Sequence, residues 1–309
     1  MNTQQREELL RGAYGVVTEA VRFSEITTFH LGGPCDLMVE PTTEKELIRA
    51  VRFLREEHIP FYVVGNGSNL LVRDGGLPGV VIHLGKRYSD VIIDGTGIIA
   101  QAGALLNHVA KLSIRAGLTG MEDISGIPGT VGGGAIMNAG AYSGEMKQVV
   151  DYVRAIDTQG ELRILRGEEM EMGYRTTRMM REKMVITEVH FTLQEGDPDT
   201  IWARYREVTE KRTTKQPLEK YSAGSVFKRP AGHFAGKLIQ DAGLRGYSIG
   251  DAQVSEKHCG FIVNNGNATA KEVLGVISHV QKTVKERFGV DLEPEIRIIG
   301  VDTEESCRL

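Results

Sequence analysis

Residues 124–142 contain no charged side chain, and they constrain the fold of this chain more than any other feature. Their many glycines and Pro128 would break a single helix in lipid, so a membrane span is excluded. A flexible linker is disfavoured, because the stretch also contains large apolar residues: Ile124, Ile127, Val131, Ile136 and Met137. The stretch is therefore predicted to be a buried loop whose backbone closely approaches another group.

Glycine permits such an approach and leaves backbone N–H groups free to point inward. Two interpretations follow for residues 124–142. One is tight packing of backbone against backbone, and the other is contact with a bound nucleotide or flavin. A second glycine-rich loop upstream favours the bound ligand.

The composition is that of an ordinary globular protein. A length of 309 residues predicts about two domains, and 41% hydrophobic with 25% charged residues is a typical balance. The net charge of −4 gives no sign of general nucleic-acid binding. The polar start has no signal-peptide pattern, and Cys35, Cys259 and Cys307 are widely spaced. We therefore expect a cytoplasmic protein without a disulfide framework or a metal site.

The first part of the chain reads as alternating helices and strands. Residues 4–21 are predicted to be a helix, and residues 35–40 a short strand. Thr43 and Glu46 form a capping box for the next helix, which precedes a buried strand at residues 61–64. Strand, helix and strand within this length predict a βαβ unit.

The second glycine-rich loop directly follows the strand at residues 61–64. It consists of Gly65, Asn66, Gly67, Ser68 and Asn69. Both glycines allow a positive φ, so consecutive N–H groups could form a nest for a pyrophosphate, with Ser68 and Asn69 as neutral donors. An Asn-Gly hairpin turn explains the motif equally well. The pattern is neither Gly-x-Gly-x-x-Gly nor a Walker loop.

The remaining elements alternate without an internal repeat. Strands are predicted at residues 80–84, 91–93, 98–102, 152–157, 161–165, 184–193, 252–254, 260–263 and 295–299. Helices are predicted at residues 105–116, from Asp197 to near Thr213, at residues 234–242, and from the capping box of Thr269 and Glu272. The change of composition near residues 201–213 marks a domain boundary.

Five short motifs, in order, closely resemble the UDP-N-acetylenolpyruvoylglucosamine reductase family, in its shorter type II form. They are Gly65-Asn66-Gly67-Ser68-Asn69, residues 125–133, Gly173-Tyr174-Arg175, residues 223–228, and residues 293–297. Each motif alone is weak, whereas the ordered set covers the chain from about Phe29 to Gly300 and is specific.

The resemblance implies an α+β fold that binds FAD. The FAD would be bound non-covalently, since no His or Cys is placed for a covalent flavin bond. Residues 1–200 would form an FAD-binding domain of the vanillyl-alcohol-oxidase (PCMH) type, in two subdomains split near residue 85. Residues 201–309 would form an α+β substrate domain. The implied FAD contacts are Gly65, Asn66, Gly67, Ser68, Asn69, Ser125, Gly126, Pro128, Gly129, Thr130, Gly132 and Gly133.

The resemblance also implies the chemistry. NADPH would reduce the flavin, which would pass a hydride to C3 of UDP-N-acetylglucosamine enolpyruvate, and protonation at C2 would give UDP-N-acetylmuramate for peptidoglycan. The enolate-like charge collects on the substrate carboxylate, where the planar cation of Arg175 fits. Ser225 would donate the proton with help from Lys228, and Glu295 would polarise the carboxylate or relay a proton.

The same side chains have plainer interpretations when each is taken alone. Arg175 could be a surface arginine beside Glu168, Glu169 and Glu171; Ser225 could be a turn or N-cap residue; Glu295 could be solvated. The ordered motifs favour the catalytic interpretation for all three.

Tyr174, Lys228 and Arg297 are expected to bind substrate by the same resemblance. The family commonly has asparagine where this chain has Arg229, so a substrate contact at that position is not carried over.

Two other functions fit parts of the pattern. A flavin oxidase of the same fold would react with oxygen and would not consume NADPH. A non-catalytic sensor of flavin or UDP-sugars would not need Arg175, Ser225 and Glu295 together. We expect a monomer whose partner is the UDP-sugar substrate, without nucleic-acid or membrane binding.

Overall fold

The computed structural model describes residues 1–303, so Cys307 lies outside the described part of the chain. The chain divides into two compact units. The first comprises Met1–Glu19, Leu37–Asn66 and Gly79–Arg212, and the second comprises Ala20–Asp36, Gly67–Pro78 and the chain from Thr213 onward. The second unit thus takes two segments from the N-terminal third of the sequence.

Helices and strands alternate along the described chain. The helices are α1 (Thr3–Leu10), α2 (Glu44–Glu56), α3 (Leu106–Arg115), α4 (Val131–Ile136), α5 (Arg178–Arg181), α6 (Pro198–Lys215), α7 (Ala235–Asp241) and α8 (Ala270–Phe288). The strands are β1 (Val16–Glu19), β2 (Cys35–Glu40), β3 (Phe61–Val64), β4 (Leu70–Val72), β5 (Leu77–His83), β6 (Val91–Asp94), β7 (Gly97–Gln101), β8 (Leu118–Thr119), β9 (Gly140–Ala141), β10 (Gly144–Glu145), β11 (Val150–Ile156), β12 (Leu162–Arg166), β13 (Val185–Thr192), β14 (Gln194–Glu195), β15 (Ser248–Ile249), β16 (Ala252–Val254), β17 (Ile262–Asn264) and β18 (Arg297–Ile299). This mixture confirms the predicted α+β class.

The largest sheet of the first unit is antiparallel, with strand order β12-β11-β13-β7-β6. Val153, Val189 and Ala100 are in register on neighbouring strands, and all three are buried. Side chains alternate between the faces of a strand, so this row points into the core. Helix α4 contacts β13 and β7, which places residues of the glycine-rich stretch against this sheet.

A second sheet of the first unit has the order β1-β2-β5-β3. Helix α2 begins at the predicted capping box of Thr43 and Glu46. It buries Leu47, Ala50, Val51 and Leu54, which recur at helical spacing. The predicted strand, helix and strand all form, but β5 lies between β2 and β3, so the two strands are not neighbours.

The second unit is built around α8, which has the predicted capping box of Thr269 and Glu272. Gly289 ends the helix in a left-handed conformation with φ +70°. The apolar stripe of α8 is buried together with the sheet β15-β16-β17, which it contacts. A parallel pair, β4 and β18, completes this unit.

Three predictions about local structure were wrong. The strand at residues 61–64 was predicted to be buried, but Tyr62 and Val63 are exposed. The helix expected over residues 4–21 ends at Leu10, because Gly12 and Gly15 have positive φ and a Cβ at Gly15 would lie 2.3 Å from the carbonyl oxygen of Glu40. The stretch 124–142 is not loop throughout, since it contains the short helix α4, which Thr130 caps. Within residues 1–303, none of the helices is both long and apolar enough to cross a membrane.

Candidate active site

The two glycine-rich motifs meet within the first unit. Asn66 Nδ2 donates a hydrogen bond of 2.7 Å to the carbonyl oxygen of Pro128. A Cβ added to Gly65 would lie 2.2 Å from Thr130 Oγ1, a distance that real Cβ atoms do not reach. Gly65 is therefore required by the close approach of one motif to the other.

Most of the other glycines in the stretch are also explained by packing. A Cβ at Gly132 would lie 2.7 Å from Ala102 Cβ, and one at Gly126 would lie 2.5 Å from Arg212 Nη1. The carbonyl oxygen of Gly129 accepts a hydrogen bond from Leu106 N. The buried Ser125 donates to the carbonyl oxygen of Glu122 at 2.6 Å, so its hydroxyl hydrogen is already used by the protein.

Gly133 differs from these residues. It is exposed, and its φ is not left-handed. Apart from its chain neighbours and the backbone of its own helix, an added Cβ would have one atom of the described residues within 4 Å, Thr130 Oγ1 at 3.3 Å. Alanine is favoured over glycine inside a helix, so the protein's own fold gives little reason for glycine here. An open surface of bare backbone suits a ligand that packs against it, and this fits the predicted FAD contact.

Arg212 supplies a positive charge next to the same stretch. Its guanidinium lies against Gly126, and burial lowers the pKa of Arg212. Arg212 is half-buried and forms no ion pair among residues 1–303, and a partly desolvated cation of this kind favours an anionic ligand. The sequence analysis missed Arg212, because it stands among the charged residues of α6 and no motif distinguishes it.

The loop at residues 65–69 is not a hairpin turn. Strand β3 precedes the loop and β4 follows it, but they belong to different sheets. Gly67 adopts the expected positive φ, at +59°, and packs against Thr27, whereas Gly65 does not have a positive φ. The positive φ that the sequence allows at both glycines is thus adopted at Gly67 and not at Gly65. Ser68 is half-buried.

In the second unit, the end of this loop lies beside the segment that contains Glu295. Asn69 Nδ2 donates to the carbonyl oxygen of Glu295 at 3.3 Å, and Arg297 N donates to the carbonyl oxygen of Asn69 at 2.8 Å. Leu70 and Arg297 are paired in the parallel β4–β18 ladder. Asn69, Glu295 and Arg297 are thus neighbours in the second unit.

The segment of Ser225 runs along the other side of Glu295. Glu295 N donates to the carbonyl oxygen of Val226 at 2.7 Å, and Lys228 N donates to that of Glu293 at 2.8 Å. Gly224 has φ +77°, a conformation that glycine adopts readily, and the next residue, Ser225, is exposed. The backbone therefore brings Ser225, Lys228 and Glu295 together. The ammonium of Lys228 is hydrogen-bonded to the carboxylate of Glu293, a partner that the sequence analysis did not predict.

Tyr174 and Arg175 belong to the first unit, whereas Ser225 and Glu295 belong to the second. Arg175 is half-buried, and its Nη2 donates to the carbonyl oxygen of Gly140 at 3.4 Å. Its guanidinium carbon lies 5.0 Å from the ring centroid of Tyr174, whose side chain is exposed. Arg175 is thus held against the glycine-rich stretch.

The guanidinium carbon of Arg229, the residue that departs from the family pattern, lies 4.0 Å from the ring centroid of Phe234.

Arg175 also has a strained backbone, with φ +55°. Non-glycine residues in the left-handed region are uncommon, and they concentrate at functional sites. Over residues 1–303, no group of three or more His, Cys, Asp or Glu side chains is arranged to hold a metal ion.

Two family models match the chain. The model of the FAD binding domain matches residues 35–166, and that of the UDP-N-acetylenolpyruvoylglucosamine reductase C-terminal domain matches residues 216–299.

Similar whole proteins carry the same name. A UDP-N-acetylenolpyruvoylglucosamine reductase of Clostridium botulinum is 48% identical over 92% of this chain and 93% of its own length. One from Caldanaerobacter subterraneus is 49% identical over 89% of this chain and 90% of its own length. The crystal structure of the Thermus caldophilus reductase has a TM-score of 0.80 at 37% identity, covering 92% of this chain and 99% of that one.

These similarities extend over nearly the whole chain, and they confirm the predicted family and the FAD-binding α+β fold with a C-terminal domain. The chain belongs to the UDP-N-acetylenolpyruvoylglucosamine reductase family of flavin-dependent oxidoreductases.

Proposed function

We propose that this chain uses NADPH and non-covalent FAD to reduce UDP-N-acetylglucosamine enolpyruvate to UDP-N-acetylmuramate, a cytoplasmic step in peptidoglycan precursor synthesis. The names of its relatives support the reaction class. One observation supports the assignment of residues: Glu295 lies beside Asn69 of a glycine-rich loop, and the segment that contains Ser225 is hydrogen-bonded to Glu295. A hydroxyl and a carboxylate at a loop of this type suit proton transfer near a cofactor.

The residues fit FAD in two ways. Gly133 offers open backbone, and Arg212 offers a desolvated cation. We assign the pyrophosphate to the loop Gly65, Asn66, Gly67, Ser68 and Asn69, and further contacts to Ser125, Gly126, Pro128, Gly129, Thr130, Gly132 and Gly133. Residues 1–200 would form the FAD-binding domain, in two subdomains split near residue 85, and residues 201–309 the substrate domain. FAD, when bound, would accept a hydride from NADPH and supply it to C3 of the enolpyruvyl group.

Arg175 would bind the carboxylate of the enolpyruvyl group. Hydride addition at C3 makes the substrate enolate-like, and its negative charge accumulates on that carboxylate. A guanidinium offers two parallel donors to a carboxylate, so it stabilises this charge more specifically than an ammonium. The hydrogen bond from Arg175 to the carbonyl oxygen of Gly140 supports a fixed position for Arg175.

Ser225 would hold the proton that is delivered to C2. Its hydroxyl is exposed, and the positive φ of Gly224 directs the chain into this position. Glu295 would polarise the substrate carboxylate or relay the proton. Lys228 would stabilise the oxygen of Ser225 after donation, once its bond to Glu293 is exchanged for one to the site. Tyr174 and Arg297 would contact the rest of the substrate, and the enzyme would act as a monomer.

The two half-reactions test this proposal separately by stopped-flow absorbance of the flavin. In the parent protein, NADPH should bleach the flavin, and the enolpyruvyl substrate should restore its colour. In Ser225→Ala, bleaching should proceed at close to the parent rate, whereas recovery should slow by ~100- to 10,000-fold, the range for a positioned general acid. Ser225→Cys should recover part of the loss.

Several results would refute the proposal. Protein that is colourless and cannot be reconstituted with FAD would refute the cofactor. Recovery of colour by oxygen but not by the enolpyruvyl substrate would indicate an oxidase. A Ser225→Ala variant with slow bleaching and normal recovery would place Ser225 at the nicotinamide instead of at C2.

A further inference from the structure

Asn138 is a buried polar side chain to which no role has been assigned. It is 1% exposed, and it lies in the glycine-rich stretch directly after α4. Its Nδ2 donates to the carbonyl oxygen of Gly173 at 3.0 Å and to Glu145 Oε2 at 3.1 Å, and its Oδ1 accepts from Lys147 N at 3.0 Å. We propose that Asn138 is a positioning residue that fixes Arg175 for the substrate carboxylate, an inference that rests on the proposed function.

The position of Arg175 depends on a four-residue turn. Gly173 N donates to the carbonyl oxygen of Thr176 at 2.9 Å, and Thr176 N donates back to that of Gly173 at 3.4 Å. Tyr174 and Arg175 form the tip, with Arg175 at φ +55°. The third residue of such a turn usually needs glycine or asparagine for this φ, so the conformation of an arginine there must be imposed by its surroundings.

Two hydrogen bonds fix this turn to the glycine-rich stretch, one at each end. Asn138 bonds the carbonyl oxygen of Gly173, the residue that opens the turn. The buried Thr177 follows the turn, and its Oγ1 donates to the carbonyl oxygen of Ile136 at 2.9 Å. The anchors Ile136 and Asn138 are two residues apart. The turn that carries Arg175 is therefore tied to the end of α4.

The second hydrogen bond that Asn138 donates is to the nearby carboxylate of Glu145. Hydrogen bonding from Lys147, and then from Asn138, lowers the pKa of Glu145, and the charge of Arg175 acts in the same direction. Glu145 is thus ionised at neutral pH and lies near Arg175. Asn138 and Lys147 thus hold this carboxylate in place beside the turn that carries Arg175.

The conformation of Asn138 explains why asparagine suits this place. Its φ is +43°, and asparagine tolerates the left-handed region better than most residues. Its amide alone provides two donors and an acceptor in one plane. Asn138→Gly therefore removes the amide and keeps the backbone conformation, whereas Asn138→Asp keeps the shape and the acceptor but loses both donors when ionised.

The test is a double-mutant cycle on the step in which substrate reoxidises the flavin. Asn138→Gly should slow this step by about 10- to 100-fold in the parent, because a displacement of about 1 Å can lower a rate by that much. In an Arg175→Ala background the same change should cost less than about threefold, since residues that act through one another are not additive. Reduction by NADPH and flavin content should remain at the parental level.

A control separates this role from a backbone effect. His58→Gly also removes a side chain at a left-handed residue, with φ +52° at the end of α2, and it should leave both half-reactions unchanged. If Asn138→Gly does not fold, Asn138→Asp replaces it in the same double-mutant cycle with Arg175→Ala.

Equal losses in the parent and Arg175→Ala backgrounds would overturn the inference, as would a loss of flavin together with NADPH reduction. A parent protein whose reduced flavin is not reoxidised by the substrate would instead refute the proposed function, and this role of Asn138 with it.

Discussion

Gly133 gives the sharpest test of where the cofactor lies, because its substitution by alanine should affect the fold and the ligand in opposite directions. In the apoprotein, alanine in α4 is favoured over glycine by up to ~1 kcal/mol. The contact of the new Cβ with Thr130 Oγ1 at 3.3 Å offsets part of this gain, since the Thr130 side chain has to move slightly. Gly133→Ala should therefore leave the apoprotein as stable as the parent or slightly more stable.

FAD binding should weaken in the same variant. A cofactor packed against the backbone of Gly133 would have to move away from the added methyl group. Overpacking of this kind costs about 1–3 kcal/mol, which corresponds to a roughly 5- to 150-fold increase in Kd. Thermal unfolding of flavin-free protein measures the first quantity, and quenching of flavin fluorescence on titration with FAD measures the second.

Gly275→Ala is the matched control, because Gly275 also lies within a helix, α8 of the second unit. The nearest atom to its added Cβ is the flexible end of Ile249, at 3.0 Å, and no predicted FAD contact lies in α8. This variant should bind FAD like the parent. If Gly133→Ala binds FAD with a Kd within twofold of the parent value, Gly133 does not face the cofactor. If its apoprotein unfolds several degrees earlier, packing alone explains the glycine.

Four further outcomes follow from the contacts described. Gly65→Ala should lower the free energy of unfolding in urea by about 1–3 kcal/mol, because the new Cβ would lie 2.2 Å from Thr130 Oγ1; an unchanged urea midpoint would contradict this contact. Arg175→Lys keeps the charge but loses the fork, so turnover should fall by about 100-fold or more, and near-normal turnover would remove Arg175 from the mechanism. Cys35 should resist thiol reagents in native protein at pH 8, because burial raises the pKa of this thiol to about 11; peptide mapping after alkylation measures its labelling. A hydrogen bond from Lys147 lowers the pKa of Glu145 in the folded protein. The ionised carboxylate therefore stabilises the fold at pH values above the ordinary glutamate pKa of about 4.3, and this stabilisation is lost as the pH falls below that value. The difference in Tm between the parent and Lys147→Met should accordingly be present at pH 7 and shrink as the pH falls from about 5 to 3, and a constant difference would show that Lys147 acts otherwise.

The sequence predicted the elements whose causes are local. The capping boxes at Thr43 and Thr269 depend on residues three positions apart, and both appear as expected. The helix predicted over residues 4–21 was wrong beyond Leu10, because the close approach of Gly15 to Glu40 depends on a distant strand.

The candidate site was predicted from the ordered family motifs more than from the physical properties of its single residues. The joining of Gly65 to Thr130, and of Asn69 to Glu295, involves segments far apart in sequence, and no periodicity indicates such pairs. In the sequence, Arg212 cannot be distinguished from the charged residues around it, because its desolvation arises only in the folded chain. Asn138 offered one signal, because its polar amide stands in a stretch of mostly glycine and apolar residues. Its partners Gly173 and Lys147 were not apparent from their spacing in the sequence.

Gly133 and Arg212 lead to the same conclusion from independent physical grounds. Glycine in a helix, and a partly buried cation without an ion pair among residues 1–303, both reduce the stability of a protein considered without its ligand. Gly133 has open space beside it, and Arg212 lies against Gly126, which belongs to the same stretch. A ligand with a flat surface and a negative charge would use both features: the bare backbone admits the surface, and the guanidinium pairs with the charge. Flavin and pyrophosphate combine these properties in one molecule, so the two features that weaken the empty fold are those that FAD binding would use.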